Sequence, residues 1–217
     1  MNAQPTSGPT EAVPEPLVVD FYFGIGSRYS YLAATQLPAF EKETGARFNW
    51  IAVDSTKLFE ARGENPFAGA NLVGQYDWAY RRQDAEAWAA FYGVPFREPH
   101  GRLKLDPHLF SLACTAARRM GAAAVYAQAL FRAVFVDDLP GVDRGVCLAR
   151  AGESGLDRRA FAELLDSAET PIEQDRVLGE AVRRGVFGVP TFGLGNRLIW
   201  GNDRLVLLRH AIMRKIP

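Results

Sequence analysis

The chain has 217 residues, 48% of them hydrophobic, and its 25 Lys and Arg residues balance 25 Asp and Glu residues. This length allows one domain with a large core, or one domain that carries a second domain as an insertion. The balanced charge and the absence of a basic run exclude the electrostatic pattern of a nucleic-acid-binding protein. No apolar stretch approaches the roughly 18 residues that suggest a membrane span, so we expect neither nucleic acid nor a membrane as a partner.

The first 16 residues and the cysteines constrain the class of protein further. Residues 1–16 (MNAQPTSGPTEAVPEP) are rich in proline and have neither the basic start nor the apolar segment of a secretory signal. We therefore predict a disordered N-terminal tail and a cytoplasmic location. Cys114 and Cys147 stand far apart without a Cys-x-x-Cys motif, which favours small buried side chains over a disulfide or a metal site. No metal site is predicted, because the three histidines lack the spacing of metal ligands.

The first third of the chain predicts a β-strand, an α-helix and a second β-strand. Residues 17–23 are β-branched and aromatic and end at Gly24-x-Gly26, and residues 47–53 also follow a strand pattern. Between them, residues 29–44 place apolar side chains at helical spacing and stop at Gly45. Residues 54–74 are rich in Gly, Pro and Asn and predict a long loop.

The central half of the chain predicts only helices. Asp157 is expected to cap one of them, and a capping box of Thr170 and Glu173, with Pro171 at the first helical position, is expected to open another. The predicted helices are residues 76–92, 109–120, 122–135, a weaker one at 146–151, 158–165 and 170–184.

The end of the chain returns to strands. Residues 190–194 and 198–200, joined by a turn, predict a β-hairpin, and a last helix is predicted to begin at Asn202 as its N-cap. The order βαβ, helical block, ββα indicates one sheet, because its two halves can pair only if they meet in space. That is an α/β, thioredoxin-like fold with an inserted all-helical domain. We predict the thioredoxin-like domain from residues 17–73 and 185–217, and the helical domain from residues 74–184.

Ser27 and Ser30 lie at the predicted N-terminus of the first helix, where redox-active thioredoxin-like proteins carry Cys-x-x-Cys. The free amides and the dipole of a helix N-terminus favour an anion, which in redox members is the thiolate of the protein itself. Serine cannot form a disulfide, so we expect no dithiol redox chemistry; Ser27 could instead donate a hydrogen bond to a thiolate of another molecule. The alternative is that both serines only cap the helix.

A second motif, Gly185-Val-Phe-Gly-Val-Pro-Thr-Phe192, leads into a predicted strand. A cis Val189–Pro190 bond would turn the backbone of Val189 outward, where it could pair with an extended peptide ligand. The alternative is an ordinary trans proline that starts a strand.

A third motif, Trp200-Gly-Asn-Asp-Arg-Leu205, enters the last helix. The free amides there could bind a carboxylate, and Asp203 could pair with an ammonium group. The alternative is that Asn202 and Asp203 only cap the helix. Taken together, a thiolate site, a backbone-pairing edge and a site for a carboxylate and an ammonium group describe a γ-glutamyl peptide thiol, and glutathione has those groups in that order.

These motifs resemble those of a known family. The chain contains Val19-Asp-Phe-Tyr-Phe23, Ser27-x-Tyr-Ser-Tyr-Leu32, Phe187-Gly-Val-Pro-Thr-Phe192 and Trp200-Gly-Asn-Asp-Arg-Leu205. They look like the motifs of the 2-hydroxychromene-2-carboxylate isomerases and the related kappa-class glutathione transferases, both in the DsbA-like branch of the thioredoxin superfamily. The resemblance runs from about residue 17 to residue 216 and implies a thioredoxin fold with a helical insertion, glutathione as cofactor and a homodimer.

The resemblance also implies roles for individual residues. Ser27 matches the serine that contacts the glutathione sulfur, and it is the expected catalytic residue. Val189, which precedes the cis proline Pro190, is expected to pair with the peptide backbone. Asn202 and Asp203 are expected to hold the γ-glutamyl end.

Five other positions are less well defined. A further glutathione-binding Asn is expected in the loop after the second strand, where Asn65 is the candidate and Asn71 competes with it. The family commonly reads Ser-Pro-Tyr/Phe-Ser where this chain has Arg28 after Ser27. Arg28 either faces the acceptor pocket and binds a substrate carboxylate, or lies on the surface. The pair Arg81-Arg82 is expected on a solvent-exposed helix face.

The activity implied by the resemblance is that of a glutathione-dependent cis–trans isomerase. Its substrate would be a small aromatic hemiketal or α-keto carboxylate from the degradation of aromatic compounds. One alternative is a kappa-like glutathione transferase, which uses the same site and consumes its cofactor. Another is a non-catalytic DsbA-like module that has lost its active-site cysteines and binds a peptide or a partner.

Overall fold

The computed structural model of the protein describes residues 16–67 and 72–214. Within these ranges four strands form one sheet in the order β2-β1-β3-β4. The strands are β1 (Val18–Phe23), β2 (Arg47–Ala52), β3 (Thr191–Leu194) and β4 (Arg197–Trp200). β1 pairs with β2 in parallel and with β3 antiparallel, so the two ends of the chain meet in one sheet as the sequence predicts.

Nine α-helices of the described residues surround this sheet. They are α1 (Arg28–Thr44), α2 (Ser55–Arg62), α3 (Trp78–Tyr92), α4 (Pro107–Arg119), α5 (Ala123–Phe135), α6 (Arg144–Glu153), α7 (Arg158–Leu165), α8 (Glu169–Arg183) and α9 (Leu205–Met213). The α/β, thioredoxin-like fold predicted from the order of elements is confirmed, with α3 to α8 lying between the two halves of the sheet in sequence.

The sheet has apolar cores on both faces. On one face, the aromatic rings of Phe21, Phe23 and Phe192 pack with Trp50 and with Phe131 of α5. On the other face, apolar side chains of β1 and β2 pack against α2 and α8, including Tyr22, Ile51, Leu58, Val177 and Ala181. Helices between the two halves of the sheet therefore cover both of its faces, while the domain boundaries at residues 74 and 185 stay predictions.

The segment predicted as a long loop contains a helix, α2. Asp54 caps it, because the Asp54 Oδ1 accepts the amides of Thr56 at 3.0 Å and Lys57 at 3.3 Å. The sequence signal for this helix is weak, because Leu58 is the single residue of α2 that is buried. A helix with one buried side chain has almost no apolar periodicity from which to predict it.

The capping box predicted at Thr170 was wrong. α8 already begins at Glu169, and the Thr170 hydroxyl donates instead to the backbone oxygen of Leu164, at 2.6 Å. Glu173 pairs with Arg176 rather than reaching back to the start of the helix. The prediction for Asp157 was right, since its Oδ1 accepts the Ala160 amide at 2.7 Å and α7 follows.

The predictions for the N-terminal tail, the cysteines and a membrane span have the following outcomes. The predicted tail, apart from residue 16, lies outside the described residues, and so does Asn71. Cys114 and Cys147 are both free and buried, as predicted. Among the described residues, no helix combines the length and the apolar character needed to cross a membrane.

Candidate functional site

Ser27 connects the end of β1 to the start of α1. Its side-chain oxygen accepts the Ser30 amide at 3.2 Å, and its backbone oxygen accepts the Tyr31 amide at 3.0 Å, so Ser27 is the N-cap. The first amides of a helix have no intrahelical acceptor, which leaves those of Arg28 and Tyr29 at the site. A capping hydroxyl still carries a hydrogen that it can donate. Ser30 is fully buried, and its oxygen faces the Gly24 amide at 3.4 Å, which is a structural role.

The second predicted motif lies beside Ser27. The Val189–Pro190 bond is cis, and the Ser27 hydroxyl donates to the Val189 carbonyl oxygen at 3.5 Å. Gly24 lies close to the same loop, because a Cβ at Gly24 would be 3.3 Å from Val189 Cγ2. Val189 itself is half-buried and Pro190 is buried. The structure thus brings the start of α1 and the cis proline together across 162 residues of sequence.

The third motif is joined to the second by a backbone contact. The Gly201 amide donates to the Pro190 carbonyl oxygen at 3.0 Å. Gly201 has φ 110°, and a Cβ there would collide with the Asp203 carboxylate, so glycine is required at this turn. The following residues form a short 3-10 turn, Asn202–Arg204, before α9.

Asn202 does not cap the last helix, contrary to the prediction. α9 begins at Leu205 without a side-chain cap, because the 3-10 turn intervenes. The Asn202 side chain is 3% exposed, and its Nδ2 has no hydrogen-bond acceptor among the described residues. Asp203 is half-exposed and pairs with the neighbouring Arg204 at 2.7 Å. The buried amide group of Asn202 is therefore left for another acceptor.

Asn65 stands apart from these residues. It is exposed in the turn after α2, where its Oδ1 accepts the Phe67 amide at 3.0 Å. No hydrogen bond among the described residues joins Asn65 to Ser27, Val189 or Asn202.

Arg28 follows neither of the two alternatives drawn from the sequence. It is 6% exposed, and its Nε and Nη2 donate to the two Glu98 oxygens at 3.0 and 2.7 Å. Its guanidinium also lies over the ring of Trp78, 5.4 Å from the centroid. Arg28 is thus neither on the surface nor free to bind an anion, since Glu98 neutralises it.

Sequence reasoning missed a second arginine, Arg81. Of the pair expected to be solvent-exposed, Arg82 is exposed and pairs with Glu86, whereas Arg81 is half-buried beside the site. Its guanidinium carbon is 5.0 Å from the ring centroid of Tyr29 and 4.9 Å from that of Phe67. Burial lowers the pKa of Arg81 from its usual value and raises the pKa of Tyr29.

The titratable groups offer no arrangement for a metal. Across the described ranges, no three His, Cys, Asp or Glu side chains are grouped to hold an ion. His108 is half-exposed, with Nδ1 3.2 Å from Oδ2 of the buried Asp54, and His100 stacks on the Trp78 ring at 4.2 Å.

The fold and these motifs agree with the comparisons with known proteins. The profile of the DSBA-like thioredoxin domain family matches residues 18–213. The chain belongs to this family. Within it, the chain is 30% identical over 198 residues to a 2-hydroxychromene-2-carboxylate isomerase of Pseudomonas putida, a match that covers 91% of this chain and 95% of that protein. The resemblance predicted from the motifs is therefore confirmed.

Solved structures support the same assignment. A selenomethionine-labelled 2-hydroxychromene-2-carboxylate isomerase superposes with a TM-score of 0.76 at 29% identity, covering 92% of this chain and 96% of that one. The cytosolic disulfide reductase DsbM from Pseudomonas aeruginosa has a TM-score of 0.64 at 19% identity over 92% of this chain and 98% of its own. The second likeness is one of fold alone.

Proposed function

We propose that the protein is a glutathione-dependent cis–trans isomerase whose substrate is a small aromatic hemiketal or α-keto carboxylate. The name of its relatives, 2-hydroxychromene-2-carboxylate isomerase, supports an isomerase of this type. The observation that carries the proposal is the Ser27 hydroxyl, which lies at the N-terminus of α1 beside Val189. A serine there excludes a disulfide formed by the protein but suits a thiolate brought by a cofactor.

The residues of the site fit glutathione at three places. The Ser27 hydroxyl and the first amides of α1 suit a thiolate, and the half-buried Val189 suits the peptide backbone. The buried Asn202 Nδ2 suits an oxygen of the γ-glutamyl end. A buried donor without an acceptor costs about 1–3 kcal/mol, so a ligand oxygen there would offset a real penalty. Asp203 is half-exposed and can take the ammonium group in place of Arg204.

Asn65 stays a proposal of the resemblance alone. Its exposed position after α2 leaves its Nδ2 accessible, while its Oδ1 is used by the local turn.

The protein's own groups would set the charge and the orientation of the cofactor. When bound, glutathione would supply a thiol that adds reversibly to a conjugated double bond, so that the bond can rotate before the thiol leaves unconsumed. Ser27 would donate its hydrogen to the sulfur in place of the Val189 carbonyl oxygen, a long contact at 3.5 Å, because its oxygen accepts the Ser30 amide and its hydrogen is not needed for the cap. The N-terminus of α1, equivalent to roughly +0.5 charge, would favour the anionic sulfur.

We propose a cytoplasmic location on the same ground. A cofactor that acts as a free thiol needs a compartment in which glutathione is kept reduced, and the cytosol provides that.

The proposal is tested by following 2-hydroxychromene-2-carboxylate by absorbance with purified protein, with and without glutathione. We expect turnover only with glutathione, and none with S-methylglutathione, which keeps the peptide but blocks the sulfur. Equal rates with and without glutathione would rule out the mechanism.

Two further outcomes separate the alternatives. Stoichiometric formation of a glutathione conjugate would indicate a transferase, since an isomerase leaves the cofactor unchanged. A non-catalytic module would show no rise in melting temperature with glutathione, whereas a ligand at 100 times its dissociation constant stabilises the fold by about 2.7 kcal/mol.

A further inference from the structure

Arg81 carries a charge that the described residues do not pair. Its Nη1 donates to the Gln75 backbone oxygen at 3.3 Å, while its Nε is buried and has no acceptor within the described ranges. No carboxylate oxygen of those residues lies within 4.0 Å of the Arg81 nitrogens, whereas the neighbouring Arg28 and Arg82 are each paired with a glutamate. A desolvated guanidinium with a free N–H is costly unless an anion completes it.

The acidic neighbours of Arg81 within the described ranges form no ion pair with it. Arg28 is neutralised by Glu98 in a pair whose two side chains are each 7% exposed. The Asp84 carboxylate, three residues further along the same helix, favours the charged form of Arg81 but forms no ion pair with it among the described residues. The field at Arg81 is therefore not cancelled by a direct counter-ion.

The aromatic rings around Arg81 define the shape of a ligand that could reach it. The ring centroids of Tyr29 and Phe67 lie 5.0 and 4.9 Å from the guanidinium carbon of Arg81. Such cation–π contacts do not use the N–H groups of the guanidinium as hydrogen-bond donors. The Nη end of a guanidinium held between rings matches a planar carboxylate, which can accept two parallel hydrogen bonds.

The position of this cation relates it to the thiolate site. Tyr29 belongs to the first turn of α1, two residues after the Ser27 cap, and packs under Arg81 of α3. Phe67 extends the same wall to Trp78, with ring centroids 5.4 Å apart and planes inclined by 22°. A half-buried aromatic surface with one unpaired cation thus lies on the side of α1 that faces α3.

We propose that Arg81 is the substrate-binding residue that takes the carboxylate of the aromatic substrate, with Tyr29 and Phe67 packing against its ring. This assignment rests on the proposed function and gives to Arg81 the role that the sequence had offered to Arg28. The carboxylate engages the Nη end of the guanidinium, because Nε is enclosed by the protein, and the substrate's aromatic ring lies against the half-buried wall.

The test compares Arg81→Met with Arg82→Met, a matched control whose guanidinium is exposed and paired with Glu86. We expect Arg81→Met to raise the KM for 2-hydroxychromene-2-carboxylate about 10- to 100-fold, the range for a lost hydrogen bond to a charged group. The dissociation constant for glutathione, measured by calorimetry, should stay unchanged in both variants. An unchanged KM in Arg81→Met would overturn the assignment.

A non-reacting probe keeps the assignment testable apart from the catalytic mechanism. Cinnamate, titrated without glutathione, should bind the wild type and Arg82→Met alike and bind Arg81→Met at least 10-fold more weakly; cinnamamide, which lacks the charge, should not discriminate among them. Equal cinnamate binding by Arg81→Met and Arg82→Met would contradict the assignment, even if glutathione supports turnover. If glutathione proves irrelevant while cinnamate discriminates, the proposed mechanism fails and the anion site stands.

Arg81→Lys is the variant to measure if Arg81→Met is unfolded at the assay temperature. Lysine keeps the charge and the apolar stem but loses the planar edge, so cinnamate should still bind it more weakly than it binds the wild type. Wild-type affinity for cinnamate in Arg81→Lys would contradict a bidentate contact.

Discussion

The Ser27 hydroxyl combines a structural role and a proposed chemical role in one atom. Its oxygen caps α1 through the Ser30 amide, and its hydrogen, which is donated to the Val189 carbonyl oxygen at 3.5 Å, is the group that a thiolate would accept instead. The two alternatives offered by the sequence, a helix cap and a thiolate donor, are therefore compatible. To separate the two roles, a variant at Ser27 must be compared with a variant that loses a helix cap elsewhere in the protein.

Ser27→Ala is expected to reduce turnover far more than stability. Loss of the cap should lower the free energy of unfolding by about 1 kcal/mol. Loss of the hydrogen-bond donor should lower kcat about 10²-fold, by analogy with the removal of one donor to a developing anion. Steady-state kinetics with saturating glutathione and urea denaturation measure the two effects.

Asp157→Ala is the matched control for Ser27→Ala. Asp157 caps α7 through the Ala160 amide and has no part in the site. We expect a similar loss of stability with kcat unchanged. If Ser27→Ala also leaves kcat unchanged, Ser27 is a cap and nothing more.

Among single residues, the candidate site residues that the sequence predicts are those that belong to a recognisable local motif. Ser27, Val189 and Asn202 each belong to a short motif, and their arrangement follows from the order of the motifs in the fold. Arg28 and Arg81 could not be assigned in this way. The environment of Arg28 depends on Glu98, 70 positions along the chain, and that of Arg81 on which face of α3 meets Tyr29.

Helix ends show what local patterns can and cannot determine. α7 was predicted correctly because Asp157 is followed by a strongly amphipathic segment that buries Phe161 and Leu165. Thr170 has the local pattern of a cap, but its hydroxyl is used by the carbonyl of Leu164 at the end of the preceding helix. A side chain near the ends of two helices can serve either of them, and only packing determines which.

The ion pair of Arg28 and Glu98 fixes the start of α1 to the segment between α3 and α4. Both side chains are buried, and the contact is a two-pronged one at 3.0 and 2.7 Å. Glu98 Oε1 also accepts the His100 amide at 2.9 Å, which orders the segment around it. This element-to-element contact holds the N-terminus of α1 next to the ring of Trp78.

Glu98→Gln should therefore lower the free energy of unfolding strongly, although glutamine has nearly the same size as glutamate. It leaves the buried Arg28 charge uncompensated, a change that costs about 3–5 kcal/mol when one partner of a buried pair is removed. The double variant Arg28→Met/Glu98→Gln should recover much of that loss, because no unpaired charge remains. Urea denaturation measures both.

Glu163→Gln is the comparison for Glu98→Gln. It removes the partner of Arg159 in an exposed pair within α7, whose side chains are 65% and 89% exposed. The free energy of unfolding should change much less there, since water screens exposed pairs. A comparably small change in Glu98→Gln would mean that water reaches Arg28.

The molecule as a whole was the most predictable level from the sequence. The βαβ and ββα ends can bury their apolar strands only in a common sheet, which gives the order β2-β1-β3-β4 whatever the details of the insertion. The packing of the helices was not predictable, because α2 and α8 cover one face of the sheet and α1 and α5 the other without a sequence signal for the choice.

The outer surface of α9 bears on the homodimer that the resemblance implies, which we retain as a proposal. α9 buries Leu205 and Leu208 against the core, yet Val206, Leu207 and Met213 on its outer side are 60%, 54% and 61% exposed. A helix that is apolar on both sides is typical of one covered on its outer side as well. A second copy of this chain would cover it.

Light scattering after size exclusion should then give twice the mass of one chain for the wild type. Leu207→Glu should shift the protein to the monomer, because a charge in the centre of an apolar contact is desolvated without a partner. Ile172→Glu, a change at an apolar side chain 69% exposed on α8, should leave the mass unchanged. The dimer would be excluded if the wild type has the mass of one chain both at its highest soluble concentration and after 100-fold dilution. If Ile172→Glu produces the monomer and Leu207→Glu does not, the dimer contact lies on α8 instead of α9.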